Sequence, residues 1–181
     1  MAEQPPRRPR KGPTRREPPD ADGAMEIAGR FLGTRPRTRW ELTRRLRRGG
    51  AAPDVIEGTL ERLAELGYVD DLAFARWWIE DRDRHAPRGR RMVEAELRQH
   101  GVPREVVETL RDDEAERPAG SEGERARIAL EQHLRGRPLP TDHRALQRVG
   151  MFLVRRGFDP ETVRATLRAA GEGGVEQPTN E

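Results

Sequence analysis

The sequence contains no cysteine, and aromatic residues make up only 4% of its 181 residues. Without cysteine there is no disulfide framework, no thiolate nucleophile and no cysteine-based zinc site. The longest run of purely aliphatic or aromatic residues covers positions 151–154, far short of the ~20 residues needed to cross a bilayer. Apolar residues make up 33% of the chain, below the ~45–50% usual for compact globules. This composition disfavours an enzyme built on a buried parallel sheet and favours an extended or modular helical protein.

Motifs for catalysis or metal binding are also scarce. No Gly-x-x-x-x-Gly-Lys phosphate loop occurs, and Ser121 lies in a Gly-Ser-Glu-Gly segment with no base beside it in the sequence. No His-Glu-x-x-His pair occurs among the four scattered histidines, which are His85, His100, His133 and His143. We therefore expect a protein that is not an enzyme and that needs no metal and no cofactor.

The two ends of the chain differ in composition from its middle. Residues 1–23 are rich in Pro and Arg and contain no Val, Ile, Leu or aromatic residue, so burial cannot offset the entropy of ordering them. We predict a disordered basic tail there and a second disordered tail over residues 171–181. The first twenty residues also lack the apolar centre of a secretory signal, so we expect a cytoplasmic location.

One short motif occurs three times, about fifty residues apart. The pattern Pro-x-x-Ile/Val-x-x-Thr-Leu begins at Pro53, Pro103 and Pro160. A basic segment followed by apolar residues at helical spacing precedes each copy, beginning at Pro36, at Pro87 and, more loosely, at Arg144. We predict an all-α protein, an elongated curved array of three tandem three-helix repeats, over residues 24–68, 69–117 and 124–170 with a linker at 118–123.

Local signals define several helix ends within this plan. Thr38 and Glu41 have the spacing of a capping box at the start of a second helix. Asp70 and Asp71 open a fourth helix, where carboxylates cap free N–H groups. Phe74, Trp77 and Trp78 follow at helical spacing, and we interpret them as a buried seam between modules rather than as a stacking surface for bases.

Charge alternates along the chain in step with the helices. Residues 35–48 hold seven basic residues and one acidic one, whereas residues 54–72 hold six acidic residues and one basic one. Of the 35 basic residues 34 are Arg, a skew that GC-rich codon usage would also give. The recurrence of arginine at helix starts, where the helix dipole disfavours it, favours a binding role. A line of arginines can bind phosphates or the acidic surface of a protein filament, and the pattern does not choose between them.

The arginines that point outward follow from helical geometry. At 100° per residue, Leu42 and Leu46 face inward while Arg44 and Arg48 lie opposite. Arg37 has equivalents in the later repeats, which are Arg88 and Arg144, and Arg48 corresponds to Arg155. The alternative is that these arginines only solvate an outer helix face.

Three segments resemble the RecX family. They are Gly-Tyr-Val-Asp-Asp-Leu-Ala-Phe-Ala-Arg at 67–76, Arg-Gly-Arg-Arg at 88–91 with Glu-Leu at 96–97 and Gly-Val at 101–102, and Phe-Leu-Val-Arg-Arg-Gly-Phe at 152–158. The resemblance covers residues 24–170. Within it, the signature residues that would order the junction between the first two modules are Gly67, Tyr68, Asp70, Asp71 and Phe74.

The resemblance implies a regulator of the RecA recombinase. Members of the family lie in the helical groove of the RecA filament on single-stranded DNA, and they inhibit ATP hydrolysis, strand exchange and coprotease activity without catalytic residues of their own. Together with the outward arginines, this gives a candidate partner-binding set: Arg37, Arg39, Arg44, Arg48, Arg88, Arg90, Arg91, Arg144, Arg155 and Arg156. We expect a monomer that binds the RecA filament, with single-stranded DNA as a further candidate ligand, weak affinity for duplex DNA and no membrane contact.

Two segments depart from the family pattern. Residues 118–123 interrupt the helical passage into the third module, and residues 137–143 match poorly, which leaves the start of that module's second helix open. Two other functions remain as alternatives. One is a DNA-binding transcriptional regulator with a single three-helix module in the major groove, whose arginines would cluster on one helix. The other is a helical scaffold for a different acidic partner.

Overall fold

A computed structural model describes residues 17–115 and 122–173, and this part of the chain forms nine α-helices and no strand. The helices are α1 (Ala21–Leu32), α2 (Arg39–Arg48), α3 (Pro53–Glu65), α4 (Asp71–His85), α5 (Arg90–Gln99), α6 (Arg104–Ala115), α7 (Glu122–Leu134), α8 (His143–Arg155) and α9 (Pro160–Gly173). They pack in consecutive groups of three. The predicted all-α array of three-helix repeats is confirmed, while most of both predicted tails and of the linker lies outside the described residues.

Each repeat buries an apolar core of its own. Leu42, Leu46 and Leu60 lie in the first core, Phe74 and Trp78 lie in the second, and the third has the fewest buried residues. The aromatic residues of α4 pack mainly in the core of the second repeat. Phe74 also reaches the junction predicted from the sequence, since the Arg35 guanidinium of the first repeat lies over its ring at 5.7 Å.

The helix ends follow the capping residues of the sequence. The capping box of Thr38 and Glu41 is present at the start of α2. At the start of α1, Asp20 Oδ1 accepts a hydrogen bond from the Gly23 N–H at 2.9 Å, so the helix begins inside the segment predicted to be a disordered tail. Likewise α7 begins at Glu122, inside the predicted linker, and α9 continues beyond residue 170 to Gly173.

The first repeat contacts the second through the N-terminus of α2. The Thr38 hydroxyl donates a hydrogen bond of 2.6 Å to the carbonyl oxygen of His100, the C-cap of α5. The backbone N–H of Arg39 donates to Oδ1 of Asp71, the first residue of α4, at 2.9 Å. The first N–H groups of a helix have no acceptor within that helix. The second repeat therefore supplies an acceptor that α2 lacks.

The second repeat contacts the third in the same way. The backbone N–H of Gly89, the N-cap of α5, donates to the carbonyl oxygen of Arg156, the C-cap of α8, at 2.9 Å. The backbone N–H of Arg90 donates to Oε1 of Glu122, the first residue of α7, at 3.1 Å. Both junctions thus use the same four positions. The N-cap of one second helix bonds to the C-cap of the next second helix, and the first residue of the earlier helix bonds to the first residue of the next repeat's first helix. The three second helices, α2, α5 and α8, follow one another with the positive end of one dipole against the negative end of the next.

A glycine follows each of the two C-caps at these junctions. Gly101 and Gly157 have φ angles of 75° and 89°, a region that is strained for residues with a side chain. A Cβ atom on Gly101 would overlap the side chain of Trp40, and one on Gly157 would lie 2.6 Å from the Cβ of Met92. Close approach of the neighbouring repeat therefore requires glycine at both places.

We predict that Gly101→Ala destabilises the protein more than Gly136→Ala. Gly136 has the same φ of 75° but no atom within 4 Å of its ideal Cβ, so its replacement costs only the backbone strain of about 1–2 kcal/mol. Gly101→Ala should cost about 1–3 kcal/mol more, because the methyl group collides with Trp40. Urea unfolding followed by circular dichroism measures both values. Equal losses would show that close packing of the two repeats does not require this glycine.

Candidate partner-binding surface

Five of the ten predicted partner-binding arginines have internal roles. Each makes hydrogen bonds that join helices or close a turn. These arginines are Arg37, Arg39, Arg88, Arg90 and Arg156.

Arg88 is held by a buried carboxylate. Glu96 is 8% exposed, and it accepts hydrogen bonds from the Trp78 indole at 2.8 Å, from Arg82 Nε at 2.9 Å and from the Arg88 guanidinium. Burial lowers the pKa of the Arg88 guanidinium, and the nearby charges of Arg82 and Arg156 lower it further. This cluster joins α4, the loop before α5, and α5 itself, so its main contribution is structural.

The other internal arginines stabilise turns and junctions. Arg37 lies over the Phe31 ring at 3.9 Å and donates to the Phe31 carbonyl oxygen at 3.2 Å. The Arg90 guanidinium reaches Glu122 Oε2 at 3.2 Å across the second junction. Arg156 donates to the Pro87 carbonyl oxygen at the same distance. These contacts help to fix the starts of α2 and α5.

The first junction contains a further ion pair that the sequence interpretation missed. Arg35 NH2 lies 2.6 Å from Glu41 Oε1, and His100 Nδ1 lies 3.0 Å from the same oxygen. Burial alone would raise the pKa of Glu41, but the hydrogen bonds with Arg35 and His100 outweigh it and hold that pKa below its ordinary value. Burial also raises the pKa of Asp71, against the hydrogen bond from the Arg39 N–H.

The remaining five predicted arginines are exposed and make no ion pair with a carboxylate in the described part of the chain. We call them the outer arginine row: Arg44 and Arg48 on α2, Arg91 on α5, and Arg144 and Arg155 on α8. Each arginine can be placed on a helical wheel at 100° per residue, with the first buried residue of its helix as the reference. All five arginines lie within a sector about 80° wide on the side opposite that buried residue. Each of α2, α5 and α8 therefore carries at least one of these arginines on the side that faces away from its own core.

The row is unevenly charged. Ala95 and Gln99 of α5 occupy the positions that correspond to Arg44 and Arg48 of α2, so the second repeat contributes Arg91 alone. The third repeat has a different start as well, because Asp142 caps α8 one turn earlier than Thr38 caps α2. The first and third repeats contribute two arginines each, and these are one turn apart on α2 (Arg44 and Arg48) but eleven residues apart on α8 (Arg144 and Arg155).

Several exposed residues that lie beside the row were not predicted from the sequence. Arg45 and Arg47 on α2 and Arg148 on α8 are exposed and unpaired within the described residues. Trp40 is 41% exposed, and the Arg44 guanidinium lies over its ring at 4.5 Å. Trp40 occupies a position two residues before a buried leucine, which places it on the outward side. This spacing in the sequence could have predicted that Trp40 lies on the outward side.

Neither a metal site nor a membrane-spanning segment accompanies this surface. Within residues 17–115 and 122–173 no three His, Cys, Asp or Glu side chains are grouped so that they could hold a metal ion. None of the helices in these ranges has the length and apolar character required to traverse a bilayer.

Comparison with known proteins identifies the family. Residues 24–63 match the family model for the first three-helix domain of RecX, and residues 70–110 match that for the second. The regulatory protein RecX of Mycobacterium avium is 37% identical over 165 residues, which cover 88% of this chain and 94% of that protein. The protein of the same name from Thermobifida fusca is 39% identical over 154 residues, covering 82% and 80%. The chain belongs to the RecX family. These homologues are named as regulatory proteins rather than as enzymes.

Solved RecX structures share the fold. The crystal structure of RecX from Lactobacillus salivarius superposes with a TM-score of 0.71 at 16% identity, covering 84% of this chain and 97% of that one. A second crystal structure of regulatory protein RecX gives a TM-score of 0.65 at 18% identity, covering 81% and 72%. The three-helix repeats are therefore a RecX architecture.

The RecX signature residues have distinct places in this architecture. Gly67 has a φ of 74° in the turn between α3 and α4, and Tyr68 beside it is 64% exposed. Asp70 caps α4, while Asp71 accepts the hydrogen bond from the first repeat. Phe74 is 1% exposed in the second core. The segment thus contributes a turn, a cap, a junction bond and a core residue within eight positions.

We predict that the internal and outer arginines differ in their effect on stability. Arg88→Ala should lower the free energy of unfolding by about 1–3 kcal/mol, because it removes a charged hydrogen bond from buried Glu96. Arg44→Ala and Arg48→Ala should each change it by less than about 0.5 kcal/mol, because both side chains are exposed and lack a carboxylate partner. Urea unfolding of the three variants measures this difference. Similar values for all three would contradict the division into two groups.

Proposed function

We propose that this RecX family member is a negative regulator of the RecA recombinase. It would act in the cytoplasm, as a monomer, in the control of DNA repair and the SOS response. It would bind in the helical groove of the RecA filament on single-stranded DNA and inhibit ATP hydrolysis, strand exchange and coprotease activity. Membership of the RecX family supports RecA as the partner.

The observation that carries the proposal is the outer arginine row. Its guanidinium groups are not neutralised by carboxylates of the described chain, although most other arginines of this part of the molecule are paired. Guanidinium groups bind carboxylates and phosphates through two parallel hydrogen bonds. A row that runs over three helices placed head to tail suits a long acidic or phosphate-lined groove.

The row also suggests how inhibition would occur without catalysis. A rigid array bound along a groove contacts successive subunits, and it can hold them in one arrangement or exclude the second DNA strand. Because α2 carries four exposed arginines without a carboxylate partner in the described chain (Arg44, Arg45, Arg47 and Arg48), this helix would contribute strongly to the electrostatic attraction. Arg44 and Trp40 would form the centre of this contact, since Trp and Arg are enriched among the residues that dominate binding energy.

A sequence-specific transcriptional regulator is less consistent with the charges. In a three-helix module that binds the major groove, the recognition helix must face the phosphates of duplex DNA. The third helix of the first repeat, α3, carries Asp54, Glu57, Glu61 and Glu65 against Arg62 alone. The N-termini of α2 and α5 are covered by the following repeats. Neither α3 nor the N-terminus of α2 or α5 therefore offers an accessible basic surface for such recognition.

The direct test is a titration of RecA ATPase activity on single-stranded DNA with increasing amounts of this protein. We expect the rate to fall in a saturable manner. Inhibition should weaken as ionic strength rises, because exposed charges are screened by salt. A rate that stays constant at every ratio of the two proteins would refute the proposal.

Charge reversal in the row provides the residue-level test. Arg44→Glu with Arg48→Glu should raise the half-inhibitory concentration at least tenfold, equivalent to about 1.4 kcal/mol. The matched control is Arg62→Glu with Arg104→Glu, two exposed arginines on third helices whose ion pairs lie at the surface. The control should inhibit like the natural sequence. Equal loss in both double variants would assign inhibition to overall charge instead of to the row.

A further inference from the structure

The groove between α8 and α9 has an aliphatic lining that is partly exposed. Met151 is 46% exposed and Val154 is 39% exposed, while Leu146 and Leu167 are half-buried. The groove has a volume of about 350 Å³. Comparison with the other two repeats shows that this surface has lost charged groups that cover its equivalents.

In the first repeat an ion pair crosses from the second helix to the third. Arg39 NH2 on α2 lies 2.5 Å from Glu57 Oε1 on α3. The repeats can be aligned by two reference points. Second helices are aligned on their first buried residue, and third helices are aligned on the proline before or at their start. By this alignment Leu146 replaces Arg39 in the third repeat, and Arg164 replaces Glu57.

In the second repeat a different ion pair spans the corresponding helices. Arg111 on α6 donates two hydrogen bonds of 2.7 Å to the carboxylate of Glu94 on α5. These bonds hold the pKa of Glu94 below its ordinary value. In the third repeat Gly150 replaces Glu94, while the arginine is retained as Arg168.

The third repeat therefore lacks the carboxylate of each pair and has an arginine in both positions on α9. Arg164 and Arg168 lie one turn apart, are exposed, and pair with no carboxylate of the described residues. The groove thus combines a mainly aliphatic lining with the guanidinium group of Arg164, and Arg168 lies one turn further along the same helix. This is the complement of a helix with apolar residues on one side and carboxylates beside them.

We propose that the groove between α8 and α9 binds an acidic amphipathic helix of a protein partner. Aliphatic side chains of that helix would pack on Leu146, Met151 and Val154. Its carboxylates would pair with Arg164 and Arg168, and the carboxylate on Arg168 would take the role that Glu94 has toward Arg111 in the second repeat. The proposal goes beyond the regulation of RecA and does not require RecA to be the source of the helix.

Other occupants fit the groove less well. No Phe, Tyr or Trp lines it within the described residues, so it offers bases no stacking platform. A second copy could offer the acidic helix α3, but Ile56, Leu60 and Leu63 of that helix are already buried in their own core. The C-terminal residues 174–181 contain Val175 as their single aliphatic residue.

The test uses a synthetic probe with the full-length protein. The probe is a fluorescent helical peptide of about 14 residues, roughly four turns, with leucines along one side and glutamates on both flanks. We expect saturable binding by fluorescence anisotropy. Arg164→Glu with Arg168→Glu should weaken binding at least tenfold, and Met151→Asp should do so independently. Both substitutions are at exposed positions, and circular dichroism checks that helicity is retained.

The matched control is Arg44→Glu with Arg48→Glu, which makes the same change of charge on the outer arginine row. This variant should bind the peptide within about twofold of the natural sequence, whatever its effect on RecA ATPase activity. A peptide with lysines in place of the glutamates should not bind. Failure of the RecA proposal and failure of the groove proposal are therefore separate results.

Three results would overturn the groove proposal. One is equal weakening by the α9 variant and by the outer-row control, which would indicate general charge attraction. Another is displacement of the peptide by a single-stranded oligonucleotide in a manner that Met151→Asp does not alter. The third is a dimer in sedimentation that Met151→Asp dissociates, which would assign the groove to a second copy of the chain.

Discussion

The arrangement of the repeats depends on the bonds at the start of each second helix. The N-cap of one second helix, through the hydroxyl of Thr38 or the backbone N–H of Gly89, donates a hydrogen bond to the C-cap carbonyl oxygen of the next second helix. A carboxylate at the start of the next repeat accepts a hydrogen bond from the first N–H of the earlier helix. These donors and acceptors have no partner within their own helices. Since each repeat has a separate core, these polar contacts, with the glycines that permit close approach, determine how one repeat sits on the next.

The same contacts divide the arginines into two groups. A junction that joins helix ends through polar groups needs cations to balance its carboxylates, and Arg35 and Arg90 serve that purpose. Arg88 neutralises the buried Glu96 within the second repeat. Arg44 and Arg48 lie on the side of α2 opposite its buried leucines and have no carboxylate partner within the described residues. Arginine thus has two placements in the array: some arginines pair with carboxylates inside the repeats and at their junctions, and others form the surface that we propose for binding.

The third repeat differs from the other two in its core, in the start of its second helix and in its ion pairs. Its core has fewer buried residues, its second helix begins one turn earlier, and its second and third helices are not joined by the ion pairs seen in the other repeats. In return it exposes aliphatic side chains beside unpaired guanidinium groups.

The sequence by itself determined the helical repeats, the caps and the family, because these depend on local spacing: a motif recurring after each basic segment, and Thr38 three residues before Glu41. It could not determine which arginines are internal. Arg88 and Arg44 both belong to basic segments, but Glu96 comes beneath Arg88 only when α5 folds back against α4. The tertiary structure decided that difference, because the neutralisation of a charge depends on carboxylates that are distant in sequence and adjacent in space.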